Sequence, residues 1–135
     1  MISIKGLDHI GIAVNSIEES LTNWKDILGM KLISTEEISE QKVQVAVLLA
    51  GNIKIELLQP TCPDSPVSKF IEKNGEGVQH IAMEVEDIEF ALQTLSDSNI
   101  RLIDQTPRNG VHDSKIAFIN PKCFNKVLLE LCEKK

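Results

Sequence analysis

One short pattern occurs twice in this 135-residue chain, and it constrains the fold more than any other feature. The first copy, Asp8–Val14, reads D-H-I-G-I-A-V, and the second copy, Gln79–Val85, reads Q-H-I-A-M-E-V. A duplicated pattern of this kind indicates two copies of one supersecondary module. Within the copies His9, Ile10 and Val14 recur as His80, Ile81 and Val85, and in the segment after each copy Ile17, Glu18 and Leu21 recur as Ile88, Glu89 and Leu92.

Each module also supplies one carboxylate on a later apolar strand. Glu56 lies in I-K-I-E-L-L and Glu130 in V-L-L-E-L, at nearly the same distance along the chain from the histidine of its own module. Because side chains alternate between the two faces of a strand, His9 and His80 are predicted to point away from their aliphatic neighbours. If the modules pair with pseudo-two-fold symmetry, both histidines and both glutamates converge on one point.

Sequence periodicity predicts the order β-α-β-β-β in each module. Ser16 begins a helix in a capping box, and its apolar stripe runs as far as Leu28. Ser65 and Pro66 begin a short helix between the modules, and a strand is predicted near Arg101–Asp104. The predicted fold class is α+β, with paired βαβββ modules forming an open, curved mixed sheet and helices on the outside. We predict a single domain, 1–135, made of a first module 1–60, a connecting short helix 61–77 and a second module 78–135.

Composition restricts the partners. The net charge of −6 argues against nucleic acid or an anionic membrane surface as the main partner. No stretch approaches the length needed to span a bilayer, and no signal peptide is apparent. The chain has an odd number of cysteines without paired spacing, namely Cys62, Cys123 and Cys132. This is typical of free thiols in a reducing compartment. The sequence therefore predicts a cytoplasmic protein.

The residue types of the duplicated pairs suit a divalent metal ion. A single histidine on a strand is more often structural than a ligand, but its recurrence with a glutamate in both modules favours a site. Two imidazoles and two carboxylates bind ions such as Zn, Co, Ni, Mn or Fe and leave open positions. Such an ion polarises a carbonyl group and stabilises an enolate, while a neighbouring carboxylate acts as general base. Two symmetry-related carboxylates would epimerise a stereocentre, or isomerise a substrate by moving a proton between neighbouring carbons.

Four segments resemble the vicinal oxygen chelate (glyoxalase/bleomycin-resistance/dioxygenase) superfamily over essentially the whole chain. They are D-H-I-G-I-A-V, G-N-I-K-I-E-L-L-Q-P, D-S-P-V-S-K-F-I-E-K-N-G-E-G-V-Q-H-I-A and V-L-L-E-L. Within it, the third segment most resembles the methylmalonyl-CoA epimerases. This resemblance implies metal ligands at His9, His80 and Glu130, a fourth and often weaker ligand position at Glu56, and an acid/base role for Glu130. It also implies an acyl-CoA substrate, interconversion of (R)- and (S)-methylmalonyl-CoA, and a homodimer.

The chain departs from the pattern of those epimerases in three places. Gln79 and Asn120 stand where the family commonly has histidine. Gln44 and Val45 occupy a strand on which some members carry a carboxylate base. Because that carboxylate is missing from this strand, Glu56 is assigned as the second acid/base. His112 is interpreted as a turn residue, with a substrate contact as the alternative.

Other functions are compatible with the same residues. The nearest is that of lactoylglutathione lyase (glyoxalase I), which isomerises a hemithioacetal of glutathione and uses a similar His/Glu set. A second is a non-catalytic, resistance-type protein that binds a small molecule, although an apolar cleft would not need four ligand-type side chains. A third is a ring-cleaving dioxygenase with two histidines and one carboxylate on iron.

Overall fold

The computed structural model describes all residues, Met1–Lys135, and the chain divides into two compact units. The first unit is continuous, His9–Gln79, whereas the second unit combines Met1–Asp8 with His80–Lys135. The strands are β1 Ile4–Ala13, β2 Lys31–Ile38, β3 Val43–Ala50, β4 Ile53–Pro60, β5 Gly77–Val85, β6 Arg108–Asn109, β7 Lys115–Ile119 and β8 Leu129–Glu133. The α-helices are α1 Ile17–Leu21, α2 Pro66–Asn74 and α3 Ile88–Asp97, and a π-helix spans Thr22–Ile27.

The two units contain sheets of the same connectivity. The strand order is β2-β3-β4-β1 in the first unit and β6-β7-β8-β5 in the second. In each sheet the strand that carries the histidine runs parallel to the strand that carries the glutamate, and the other neighbours are antiparallel. The predicted α+β class and the β-α-β-β-β module are therefore confirmed.

One face of each sheet packs on the helices and forms the hydrophobic core. In the first unit the core residues are Val14, Ile17, Ala46, Leu48 and Leu57. In the second unit they are Val85, Ile88, Ala91, Leu92, Leu102, Ala117, Ile119 and Leu131. Leu57 and Leu131, which directly follow Glu56 and Glu130, therefore lie on the helix-facing side of their strands, as the sequence predicts. Helices α1 and α2 begin as predicted, with Ser16 and Ser65 as N-caps, and Asp87 is the N-cap of α3.

The predicted helical stripe ending at Leu28 is wrong in its last turn. After α1 the chain continues as a π-helix, in which Leu28 N–H bonds to the carbonyl of Asn23, five residues earlier. Because a π-turn contains more residues than an α-turn, the stripe loses its register. Trp24 still packs against the core, whereas Leu28 is 66% exposed.

The strand predicted near Arg101–Asp104 is also wrong, since β6 lies further along, at Arg108–Asn109. Leu102 forms only an isolated bridge with Ile119. The Asp104 side chain supplies the acceptor that a paired strand would supply, because its Oδ2 accepts the backbone N–H of Phe118 at 2.9 Å. Separately, none of the helices combines the length and the apolar character that a membrane span requires.

Candidate functional site

The first unit contains a buried histidine–glutamate pair. His9 lies on β1 and Glu56 on the adjacent β4, and His9 Nε2 is 3.4 Å from Glu56 Oε1. Both residues are almost inaccessible to solvent, at 3% and 4% exposure. Gly11 is the register partner of Glu56, so no side chain on β1 stands directly beside the carboxylate. The local sequence therefore leaves room for the pair.

The second unit repeats this arrangement. His80 lies on β5 and Glu130 on β8, with His80 Nε2 3.3 Å from Glu130 Oε1. Both residues are 4% exposed, and the small Ala82 is the register partner of Glu130. The structure thus joins each predicted histidine to the glutamate of its own module.

The geometry of each pair fits two ligands of one divalent cation. Imidazole nitrogen and carboxylate oxygen bind zinc-like ions at about 2.1 Å, so two such ligands lie about 2.9–3.4 Å apart at angles between octahedral and tetrahedral. The distances of 3.4 and 3.3 Å fall in or close to this range. Burying a carboxylate without compensation is unfavourable, and a cation or a protonated imidazole supplies the compensation. The donor set therefore fits the predicted metal.

The surroundings of the two pairs differ. In the first unit, β3 places Val47 opposite Glu56, and Val45 two residues away is 2% exposed. In the second unit, β7 places Phe118 opposite Glu130, and its ring meets His80 edge-on at a centroid distance of 5.4 Å. The structure confirms that β3 offers no carboxylate near Glu56, as the departure at Val45 indicates.

Cys132 is the remaining ligand-type residue on β8. Its side chain is buried, and burial raises the pKa of the thiol strongly, with further upward contributions from the nearby charges of Asp8 and Glu130. In the metal-free chain Cys132 is therefore a buried, uncharged thiol.

Sequence reasoning missed an ionic cluster in the second unit. Lys134 Nζ lies 2.9 Å from Oδ1 of the buried Asp8 and 3.5 Å from Glu84 Oε1, and the Asp8 hydrogen bond raises the pKa of Lys134. Asp8 and Lys134 are at opposite ends of the sequence, so no local pattern signals their contact. His112 has a left-handed φ of 55° within the turn Val111–Asp113, in agreement with its interpretation as a turn residue.

Comparison with known proteins supports the resemblance. The glyoxalase/bleomycin resistance protein/dioxygenase superfamily matches residues 8–118. The Bacillus subtilis protein YqjC, itself uncharacterized, is 48% identical over 96% of this chain and 92% of its own. The mitochondrial methylmalonyl-CoA epimerase of Dictyostelium discoideum is 39% identical over 98% of this chain and 81% of its own.

A solved structure extends this agreement to the fold. A methylmalonyl-CoA epimerase in complex with methylmalonyl-CoA and NH4+ has a TM-score of 0.94 and 35% identity, covering 98% of this chain and 96% of its own. The mixed sheets, the repeated modules and the sequence match therefore all indicate the same superfamily. This chain belongs to the glyoxalase/bleomycin resistance protein/dioxygenase superfamily, and its relatives there include methylmalonyl-CoA epimerases.

Proposed function

We propose that this protein is a metal-dependent epimerase that interconverts (R)- and (S)-methylmalonyl-CoA. The observation that carries the proposal is the duplicated, buried histidine–glutamate pair in a chain 39% identical to a named methylmalonyl-CoA epimerase. A non-catalytic binding protein would have no need to bury two carboxylates and two imidazoles, because each buried polar group is unfavourable without a partner.

In this proposal His9, Glu56, His80 and Glu130 together hold one divalent ion, with Co, Zn, Ni and Mn as candidates. All four are buried and all four are ligand-type side chains. When bound, such an ion acts as a Lewis acid toward the thioester carbonyl and lowers the barrier to removal of the α-proton. The superfamily membership of the chain supports this assignment.

Glu130 and Glu56 are the proposed acid/base residues. A carboxylate has two oxygens, so one can face the imidazole while the other exchanges a proton with the α-carbon of the substrate. Removal of the proton by one glutamate and delivery by the other on the opposite face inverts the stereocentre. Glu56 takes the second role because the adjacent β3 presents Val45 and Val47 rather than a carboxylate.

The proposed substrate class is an acyl-CoA thioester. Related proteins are named for methylmalonyl-CoA and ethylmalonyl-CoA, and one related structure contains methylmalonyl-CoA. These names support an acyl-CoA rather than the glutathione hemithioacetal considered above. A homodimer and a cytoplasmic location stay predictions.

Isotope exchange tests the proposal directly. We expect the Co2+-loaded protein to incorporate deuterium from D2O at C2 of methylmalonyl-CoA, and the metal-free protein to do so far more slowly. The hemithioacetal of methylglyoxal and glutathione is the comparison substrate. Turnover of the hemithioacetal without exchange into methylmalonyl-CoA would replace this function by that of a glyoxalase, and metal binding without either reaction would exclude both enzymes.

A further inference from the structure

We propose that Phe118 is a positioning residue, whose ring holds the imidazole of His80 in the orientation that the metal site requires. The inference rests on the proposed function and deepens it, because it concerns the same pair. The two rings are 5.4 Å apart between centroids with an interplanar angle of 88°. Edge-to-face contacts between aromatic rings are favourable at such distances.

This contact limits the freedom of His80. A histidine ligand must present one particular nitrogen to the metal, and rotation of its ring about the side-chain torsion would remove that nitrogen from the site. Nε2 is the atom directed toward Glu130 Oε1, at 3.3 Å. A perpendicular ring packed against the imidazole opposes this rotation, so Phe118 preserves the relation between Nε2 and the carboxylate.

The backbone of Phe118 is held from both sides. On one side β7 pairs with β8, in the register that places Phe118 opposite Glu130. On the other side the carbonyl of Phe118 accepts N–H groups from Ile103 and Asp104, at 3.0 and 3.1 Å. Asp104 Oδ2 accepts the N–H of Phe118 at 2.9 Å, and Arg108 Nε lies 3.1 Å from the other carboxylate oxygen. Hydrogen bonds on both sides therefore fix the strand segment that carries the Phe118 ring.

The first unit has no counterpart to this contact. Val47 occupies the position opposite Glu56 that Phe118 occupies opposite Glu130. Valine has no ring to meet the imidazole of His9 edge-on. Two pairs with the same ligand types are therefore supported differently, and removal of the Phe118 ring should affect the second pair alone.

The test compares Phe118→Leu with two other variants. Phe118→Tyr keeps the ring and should retain the Co2+ affinity and the Co2+ spectrum of the wild type. Phe124→Leu makes the same change at a partly buried phenylalanine that packs on the core of the same unit. Metal affinity is measured by Co2+ titration, the geometry of the site by the visible absorption spectrum of bound Co2+, and folding by circular dichroism and thermal unfolding.

We expect Phe118→Leu to weaken Co2+ binding by about 2–10-fold, the range that corresponds to the loss of one edge-to-face contact between aromatic rings. The Co2+ spectrum should shift, and kcat should fall more than KM for methylmalonyl-CoA rises. Phe124→Leu should keep the wild-type spectrum. A Phe118→Leu protein with wild-type Co2+ affinity and spectrum would overturn the role of Phe118 alone. Co2+ binding by the wild type without turnover would overturn the proposed function alone, and no Co2+ binding would overturn both.

Discussion

Glu133 accepts the backbone N–H of Ile88 on its Oε1 atom at 2.9 Å, and so ties the end of β8 to the first turn of α3. The first unit contains the same contact, in which Gln59 Oε1 accepts the N–H of Ile17 at 2.8 Å. Each acceptor follows the glutamate of its unit by three residues. The duplication thus includes a hydrogen bond that anchors the glutamate strand to the helix after the histidine strand.

Loss of this anchor should destabilise the protein. A free N–H in the first turn of a helix needs an acceptor, and the Ile88 group is partly buried. We expect Glu133→Ala to lower the free energy of unfolding by about 1–2 kcal/mol, as measured by urea denaturation. Glu133→Gln keeps an acceptor oxygen and should retain most of the stability. Gln59→Ala is the matched change in the first unit, and equal stability of Glu133→Ala and wild type would contradict this account.

The two buried glutamates should respond differently to substitution. We expect Glu130→Ala to abolish epimerisation, because it removes both a proposed metal ligand and a proposed acid/base. Glu56→Gln keeps a ligand oxygen but cannot exchange a proton, so it should retain metal and lose one of the two proton-transfer steps. Metal content by mass spectrometry and deuterium exchange from each epimer separately are the measurements. Full turnover by Glu130→Ala would remove its assigned role.

The carboxyl group of Asp64, in the loop after β4, gives a prediction about the effect of pH on stability. A hydrogen bond from Cys62 and the ammonium group of Lys42 together lower the pKa of Asp64 from 3.8 to about 2. Cys62 Sγ is 2.9 Å from Asp64 Oδ1. Because the pKa is lower in the folded chain, the ionised carboxylate favours folding above pH 3.8, and this contribution is lost as the pH falls toward 2.

Removal of either partner should raise the pKa of Asp64 toward 3.8, because Cys62 supplies the largest single cause and Lys42 supplies the next two, a hydrogen bond and its charge. The two variants to compare with the wild type are Cys62→Ala and Lys42→Met. The carboxyl carbon shift of Asp64, followed by NMR from pH 1.5 to 6, reports the value. The effect on stability should be small, since the side chain of Asp64 is exposed to solvent. An unchanged titration in Cys62→Ala would show that the thiol does not act on Asp64.

Gly110 has a steric requirement that alanine cannot meet. A Cβ atom placed there would lie 2.7 Å from both Ile116 Cγ2 and Ser114 Oγ. We expect Gly110→Ala to lower the free energy of unfolding by about 1–3 kcal/mol. The loss should be smaller in a protein that already carries Ile116→Ala, because the Cγ2 atom that obstructs the new Cβ is then absent. Equal losses in the two backgrounds would show that Ile116 is not the obstructing group.

Much of the fold was predictable because local patterns determine it. The alternation of Ile10 and Ile12 with His9 places the histidine opposite the core, and the Ser65-Pro66 pair begins α2. Recurrence of the same pattern around His80 and Glu130 then identifies the second pair. These signals are each contained within a few residues, so they can be found without coordinates.

The features that were missed depend on contacts between distant residues or on rare geometry. The π-helix that exposes Leu28 has no periodic signature, since five-residue turns are uncommon. The Asp104 side chain accepts the backbone N–H that a neighbouring strand would otherwise accept. The apolar pattern around Asp104 cannot indicate such a side-chain contact. The contact between Phe118 and His80 requires knowledge of the register of β7 with β8.

The division of the chain into units has a consequence for biosynthesis. Residues 9–79 form a continuous segment, so the first unit can complete its contacts while the ribosome is still translating. Met1–Asp8 precede the first unit in the chain, yet their neighbours in the second unit, His80–Lys135, follow it. The start of β1 therefore completes its native contacts only after Lys134 has been translated and can meet Asp8.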